Sequence, residues 1–339
     1  MIIKKIEKFR QKKRHRDTIV RIRFSPLGQY AVSADKSGEL FFWPKGDFHR
    51  AKRFYSSEST LTDVWFSEDE KQLFVGHEEG LLLVYDIPGL KLIAEVQLET
   101  DQSASGTILS GTSKPILDYV VLAVSPKRSQ NIFVALEYHD FFCLSKDFQV
   151  TNEKHIHGNI IEQTTATPDG RLIFFGDDLG YIFHYKPDEM VMIDFALHHE
   201  LVNAYDAGMR PVKRDLSTGI AALAISGDGQ KLASTSYTGG VQIWNIESKD
   251  PQTEDLRDFP PFAERPPQDD VRIRGICFSP DSSSVLFGND EGKVAFWNFK
   301  KGEIEYYADC HEGVKSIAVS PFDSEYAIGC KEGSIFLFF

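Results

Sequence analysis

Six segments of this chain carry the same three residues at identical spacing, and that register leaves few folds open. Taking Ser25, Ser67, Thr167, Ser226, Ser279 and Ser320 as reference positions, a glycine stands thirteen residues on in each: Gly38, Gly80, Gly180, Gly239, Gly292 and Gly333. Eighteen residues on stands an aromatic ring: Trp43, Tyr85, Tyr185, Trp244, Trp297 and Phe338. Apolar residues precede the reference by three and one, as in Ile22/Phe24, Val64/Phe66 and Ile276/Phe278. A seventh segment, around Ser125, keeps the leading apolar run but has Tyr138 for the glycine and Cys143 for the ring. Self-similarity at a fixed period marks a repeat architecture, in which one unit cannot bury its own faces and stacks on the next.

The unit reads as strands. In Val271–Asn298, VRIRGICFSPDSSSVLFGNDEGKVAFWN, apolar residues alternate through Ile273–Phe278, and two further apolar runs follow Ser-Pro-Asp and Asp-Glu-Gly. Period two places successive side chains on opposite faces of a strand. Pro, Asp and Gly at the breaks supply turn geometry. Each unit is therefore predicted as a small antiparallel sheet.

With these anchors the chain resembles the WD40-repeat family, over essentially its whole length. The resemblance implies an all-β fold, a seven-bladed propeller of four-stranded antiparallel blades. The expected blades are 18–56, 60–98, 116–154, 157–199, 218–258, 270–308 and 312–339. The last unit ends after its third strand, so residues 2–9, alternating in MIIKKIEKF, are expected to supply the fourth and close the ring. The family's Trp-Asp pair appears here as Trp43-Pro44, Tyr85-Asp86, Tyr185-Lys186, Trp244-Asn245 and Trp297-Asn298. The position before the anchor glycine carries Ser37, Glu79, Leu179, Glu291 and Glu332 where the family's turn aspartate is sought. The family's Asp–His–Ser–Trp hydrogen-bond network is accordingly expected to be mostly missing, with stability resting on apolar packing.

Reference positions lie 42, 58, 42, 59, 53 and 41 residues apart. The long intervals mark insertions at Glu99–Pro115, Glu200–Ser217 and Phe259–Asp270, each between the outer strand of one blade and the inner strand of the next. In a propeller these connections emerge on one face, and long loops in compact domains commonly carry function. The resemblance implies a non-catalytic interaction platform, a subunit of a larger assembly. A protein or peptide partner on the loop-rich face is the expected function. Candidate contacts are the basic run Lys12, Lys13, Arg14 and Arg16, read as a loop on that face, and Phe259 and Phe262 flanking Pro260-Pro261. The segment Glu247–Asp270 holds eight acids, three bases and five prolines. Two before the reference, most units have a small residue (Ala123, Thr165, Ala224, Cys277, Ala318), but the first two have Arg23 and Trp65. These are expected to stack as a cation–π pair or to face a ligand.

Other classes find less support. A net charge of −12 disfavours a general nucleic-acid binder. Four cysteines without a Cys-x-x-Cys pair fit buried free thiols in a reducing compartment, cytoplasmic with the nucleus as alternative. No apolar run suits a signal peptide or a membrane span. Recruitment to an anionic lipid surface through residues 10–16 is an alternative, although the Phe-Arg-Arg-Gly motif of lipid-binding propellers is absent. An enzyme with a site at the channel mouth is a further one. His155/His157 and His198/His199 lack partners at metal-ligand spacing, Gly106–Ser113 lacks the lysine of a phosphate loop, and no cofactor or metal is expected.

Overall fold

A hydroxyl at the reference position closes the turn between the first two strands in blades 1, 2, 4, 5 and 6. In the computed structural model Ser25 Oγ accepts from Tyr30 N at 2.9 Å, Ser67 Oγ from Gln72 N at 2.9 Å and Ser226 Oγ from Lys231 N at 2.9 Å. The anchor glycines hold the next turn. Gly38, Gly180, Gly239 and Gly292 have φ between 87° and 98°, a region that costs a side chain dearly. At Gly292 a Cβ would also lie 2.7 Å from the Glu312 carbonyl, on the connection leaving the same blade.

The structure describes residues 4–5, 10–13, 15–44, 51–55, 60–98, 120–123, 132–136, 140–155, 160–189, 191–197, 199–205, 211–217, 219–237, 239–249, 251–255, 272–322 and 325–338. Seven antiparallel sheets succeed one another along the chain. Their inner strands are Ile19–Phe24, Leu61–Phe66, Val120–Ala123, Ile161–Ala166, Ile220–Ile225, Ile273–Phe278 and Val314–Val319, which we number as blades 1 to 7. Blade 3 forms its sheet without the glycine and ring anchors, through Val120–Ala123, Ile132–Leu136, Asp140–Leu144 and Val150–His155.

Between each pair of neighbouring sheets lies an apolar cluster, and the aromatic anchor of one blade reaches into the sheet before it. Tyr85 packs with Val32, Ala34 and Phe42 of blade 1, and Trp297 packs with Ala233 and Ile243 of blade 5. Trp43 of blade 1 packs with Ala327, Ile335 and Leu337 of blade 7, so the two ends of the repeat meet.

Two expectations need correction. The strand beside Ser334–Phe338 in blade 7 is Arg10–Lys13, in register Arg10–Leu337 to Lys13–Ser334, and not residues 2–9. Within 2–9 the described pair Lys4–Lys5 runs parallel to Tyr306–Tyr307 at the rim of blade 6. The basic run is therefore partly an edge strand, where lysine and arginine discourage pairing with another chain. Second, the insertion at Glu200–Ser217 is a hairpin, His199–Tyr205 paired with Pro211–Ser217.

The polar network expected to be mostly missing is complete in blade 1. Trp43 Nε1 donates to Ser33 Oγ at 3.0 Å, and Ser33 Oγ lies 2.7 Å from His15 Nε2. His15 Nδ1 stands 3.2 Å from Asp35 Oδ2. The Asp35 carboxylate can only accept, so the imidazole faces it with Nδ1 as donor, and the Ser33 hydroxyl links Nε2 to the indole. The aspartate stands ten residues after the reference, not twelve, which is why the turn position misled. Blade 5 keeps one link, Trp244 Nε1 to Ser234 Oγ at 2.7 Å, with Ser236 in the aspartate position.

Burial raises the Asp35 carboxyl, but hydrogen bonds from His15, Ser37 and the Glu39 amide outweigh it and hold Asp35 below the usual range. A carboxylate depressed on folding stabilises above its unfolded pKa, and that contribution fades as pH falls through the folded value. We expect Ser33→Ala to cost about 1–3 kcal/mol in urea unfolding, because it leaves a buried indole and imidazole unsatisfied. The difference between wild type and Asp35→Asn should narrow below about pH 4.

Candidate functional site: the channel and its two mouths

Among the described residues, inner strands of blades 1, 2, 4, 5, 6 and 7 line a central channel, and the turns of the sheets define two faces. The connection face carries the second-to-third-strand turns, the links between blades and the hairpin base. The opposite face carries the first-to-second-strand turns.

On the connection face the channel opens into a depression of about 660 Å³. Cations reach it from blades 6, 7 and 1 as Arg274, Lys315 and Lys36, and carboxylates from blades 2 and 4 as Asp63, Glu78 and Glu162. Asp17 is an acid on the basic side. Asp290 holds both Lys315 Nζ, at 2.8 Å, and Arg274 Nε, at 3.3 Å. Burial lowers the Lys315 ammonium pKa, Asp290 opposes that, and Arg274 and Lys331 lower it further. Arg272 and Arg274 lie over the Tyr237 ring at 4.9 and 5.5 Å. Burial raises the Tyr237 phenol, and Glu162 raises it further. The mouth is thus a ring of rigid strand ends that presents opposite charges across an opening.

Deeper in, the channel narrows to a cavity of about 290 Å³, lined by Thr165, Ala224, Cys277 and Ala318 together with Arg23 and Trp65. The Arg23 guanidinium carbon sits 3.7 Å from the Trp65 ring centroid, the expected stack. Arg23 Nε donates to the Val64 carbonyl at 2.8 Å, and Arg21 Nε donates to Asp63 Oδ1 at 2.8 Å. The Arg23 pKa is lowered to about 10 by desolvation, with Asp63 opposing and Arg21 adding to the drop. Phe24 and Pro26 line this cavity, so Arg23 and Trp65 belong to the turn-face end of the channel and not to the loop-rich face.

The remaining candidates are dispersed. Lys12 and Lys13 lie in the blade 7 edge strand, and Arg16 is exposed with its Nε 3.5 Å from Glu39 Oε1. Arg14, Phe259 and Phe262 lie outside the described residues, as do the insertions 99–115 and 259–270. Sequence reasoning did not mark Arg274, Lys315, Glu162 and Tyr237. Their signal was a charged or aromatic residue at the first inner-strand positions and at the turn before the anchor glycine.

No histidine lines either cavity among the described residues. Burial pushes the channel-lining Cys277 thiol well up, away from a thiolate nucleophile at neutral pH. One group of side chains, His15, Asp35 and Glu39, is close enough to share a metal ion. Both carboxylates already have partners within the chain: Asp35 Oδ1 accepts from the Ser37 and Glu39 amides at 3.0 and 2.9 Å, and Arg53 pairs with Glu39. This is the blade 1 network, and it fits internal support better than ligation.

The comparisons agree with the geometry. The family model described as "WD domain, G-beta repeat" matches residues 213–245, which run from the hairpin through the third strand of blade 5. The fold is a seven-bladed β-propeller, and its blade 5 segment is similar to a WD40 repeat. WD repeat, SAM and U-box domain-containing protein 1 of Danio rerio is 31% identical over 81 residues, 24% of this chain and 15% of that protein. The chain thus aligns with well under two-thirds of that relative's length. WD40 propellers are commonly protein-interaction scaffolds and typically non-catalytic. Among the described residues no helix of this propeller is long and apolar enough to cross a membrane.

Asp63 is the only carboxylate shared by Arg21 and Arg23 in the channel wall among the described residues. Asp63→Ala should cost about 2–3 kcal/mol, measured by denaturant unfolding, because it strands two guanidiniums in a partly dry cavity.

Proposed function

We propose that this propeller is a non-catalytic scaffold, a subunit of a multiprotein complex, that holds a protein or peptide partner on its connection face. The observation that carries this reading is the charged depression of about 660 Å³ at the channel mouth, built by side chains from six of the seven blades. Rigid strand ends hold those side chains at fixed separations, so little side-chain entropy is lost on binding. Opposed cations and carboxylates select a partner by charge pattern more than by apolar area. The hairpin His199–Ser217 arises at the same face, between blades 4 and 5, and adds surface there. The acids at this mouth stand among cations or accept hydrogen bonds, as Glu78 does from the Thr60 amide at 3.3 Å, a role in shaping the surface.

The test is affinity purification from native lysate with the full chain. Lys36 and Lys331 are exposed on second-to-third-strand turns, so Lys36→Glu/Lys331→Glu changes the charge of the rim without entering the core. A protein recovered with wild type and reduced about tenfold or more with the double variant, at unchanged melting temperature, is the expected result. Recovery that is equal with both proteins would remove the connection face from the reading.

A further inference from the structure

The repeat supplies its own control for the opposite face. Two residues after the reference, four blades carry an aspartate that builds the first turn. Ser67 Oγ donates to Asp69 at 2.8 Å, Thr167 to Asp169 at 2.8 Å, Ser226 to Asp228 at 2.5 Å and Ser279 to Asp281 at 2.6 Å. Each carboxylate also accepts an amide two residues on: Lys71, Arg171, Gln230 and Ser283. Blades 7 and 1, neighbours in the ring, have Phe322 and Leu27 in its place. They lack the carboxylate that the other four turns use and expose a ring and an isobutyl group, 64% and 51% accessible.

The two turns are neighbours on this face. A Cβ on Gly28 would stand 3.0 Å from the Phe322 ring, so the blade 7 turn lies against the blade 1 turn. The blade 1 turn is fixed from the next blade: buried Glu70 accepts from the Leu27 amide at 2.7 Å. Both side chains stay more than half exposed, although one edge of the Phe322 ring rests on the blade 1 turn at Gly28.

Beside these turns is the end of the channel that departs from the repeat's small residues, with Arg23 stacked on Trp65. Arg21 and Arg23 share a single oxygen, Asp63 Oδ1, at 2.8 and 3.6 Å. Two guanidiniums to one carboxylate leaves a positive charge facing a cavity of about 290 Å³. Four departures, Arg23, Leu27, Trp65 and Phe322, fall in blades 7, 1 and 2, and blade 3 carries Lys127 at the turn position.

We propose that this turn face is a second docking surface, for a peptide segment of a partner that covers Leu27 and Phe322 with an apolar side chain and directs a carboxylate to Arg23. The surface lies across the disc from the connection face, and the proposal stands independently of the function proposed there. Leu27 and Arg23 are close along one strand and turn, so the apolar and acidic residues of an extended peptide stand roughly two to four positions apart at about 3.3 Å each.

The probe is a library of short random peptides displayed on phage and selected on the full chain. Selected sequences are expected to pair an aromatic or aliphatic residue with Asp or Glu at that spacing. A synthetic copy should lose about tenfold or more in affinity for Leu27→Asp/Phe322→Asp. Changing its acid to the amide should weaken binding to wild type but not to Arg23→Met. The double variant restores the residue that four other turns carry, so its melting temperature should equal or exceed that of wild type. A lower melting temperature would assign the two side chains to the fold and overturn the proposal. So would selection of the same sequences by wild type and the double variant, or of sequences without a carboxylate. A concentration-dependent dimer abolished by the double variant would replace the peptide with a second copy of this chain.

Discussion

Burial between neighbouring sheets is the interaction on which everything else here depends. A four-stranded blade has two apolar faces and no helix to cover them. Each face is satisfied only by the next blade, so the recurring ring of one unit becomes part of the core of the unit before it, as Trp43 does against Ala327 and Leu337. Aromatic side chains at this position, wedged between pleated surfaces, bury a large apolar area. The channel follows from this packing. Inner strands converge because the blades wedge together, and small residues two before the reference keep the axis open.

Polar interactions are subordinate to that packing and unevenly spread. Blade 1 holds a full chain from Trp43 through Ser33 and His15 to Asp35, whereas blade 5 retains only its first link. In blade 7 the corresponding positions are Cys310 and Cys330, both buried and part of an apolar cluster. A polar network is worth building where an irregular segment must be held. His15 lies just after the Arg10–Lys13 strand, so the network secures the crossing from blade 7 to blade 1.

The same framework separates two faces with different chemistry. The connection face has charges of both signs around a wide opening. The turn face is mostly made of aspartate-capped turns, interrupted over blades 7 and 1 by exposed apolar residues. Because the units are alike, each departure can be compared with its counterparts in the same chain. Positions that differ without serving the core stand out against the rest.

The amino-acid sequence by itself determined the number of units, their strand character and the turns, since period-two alternation and the serine, glycine and ring anchors are local and repeat. It also determined that Arg23 and Trp65 break a pattern. It could not decide which stretch pairs with Ser334–Phe338, because MIIKKIEKF and Arg10–Lys13 both suit an edge strand, and pairing across the ends of a chain has no local signature. Nor could it show that His15 belongs to Asp35, twenty residues away in a run that reads as basic loop. The mouth of the channel was the least legible part. Arg274, Lys315, Glu162 and Tyr237 are unremarkable in their own units, and only the closing of seven sheets about one axis brings their charges to a common opening.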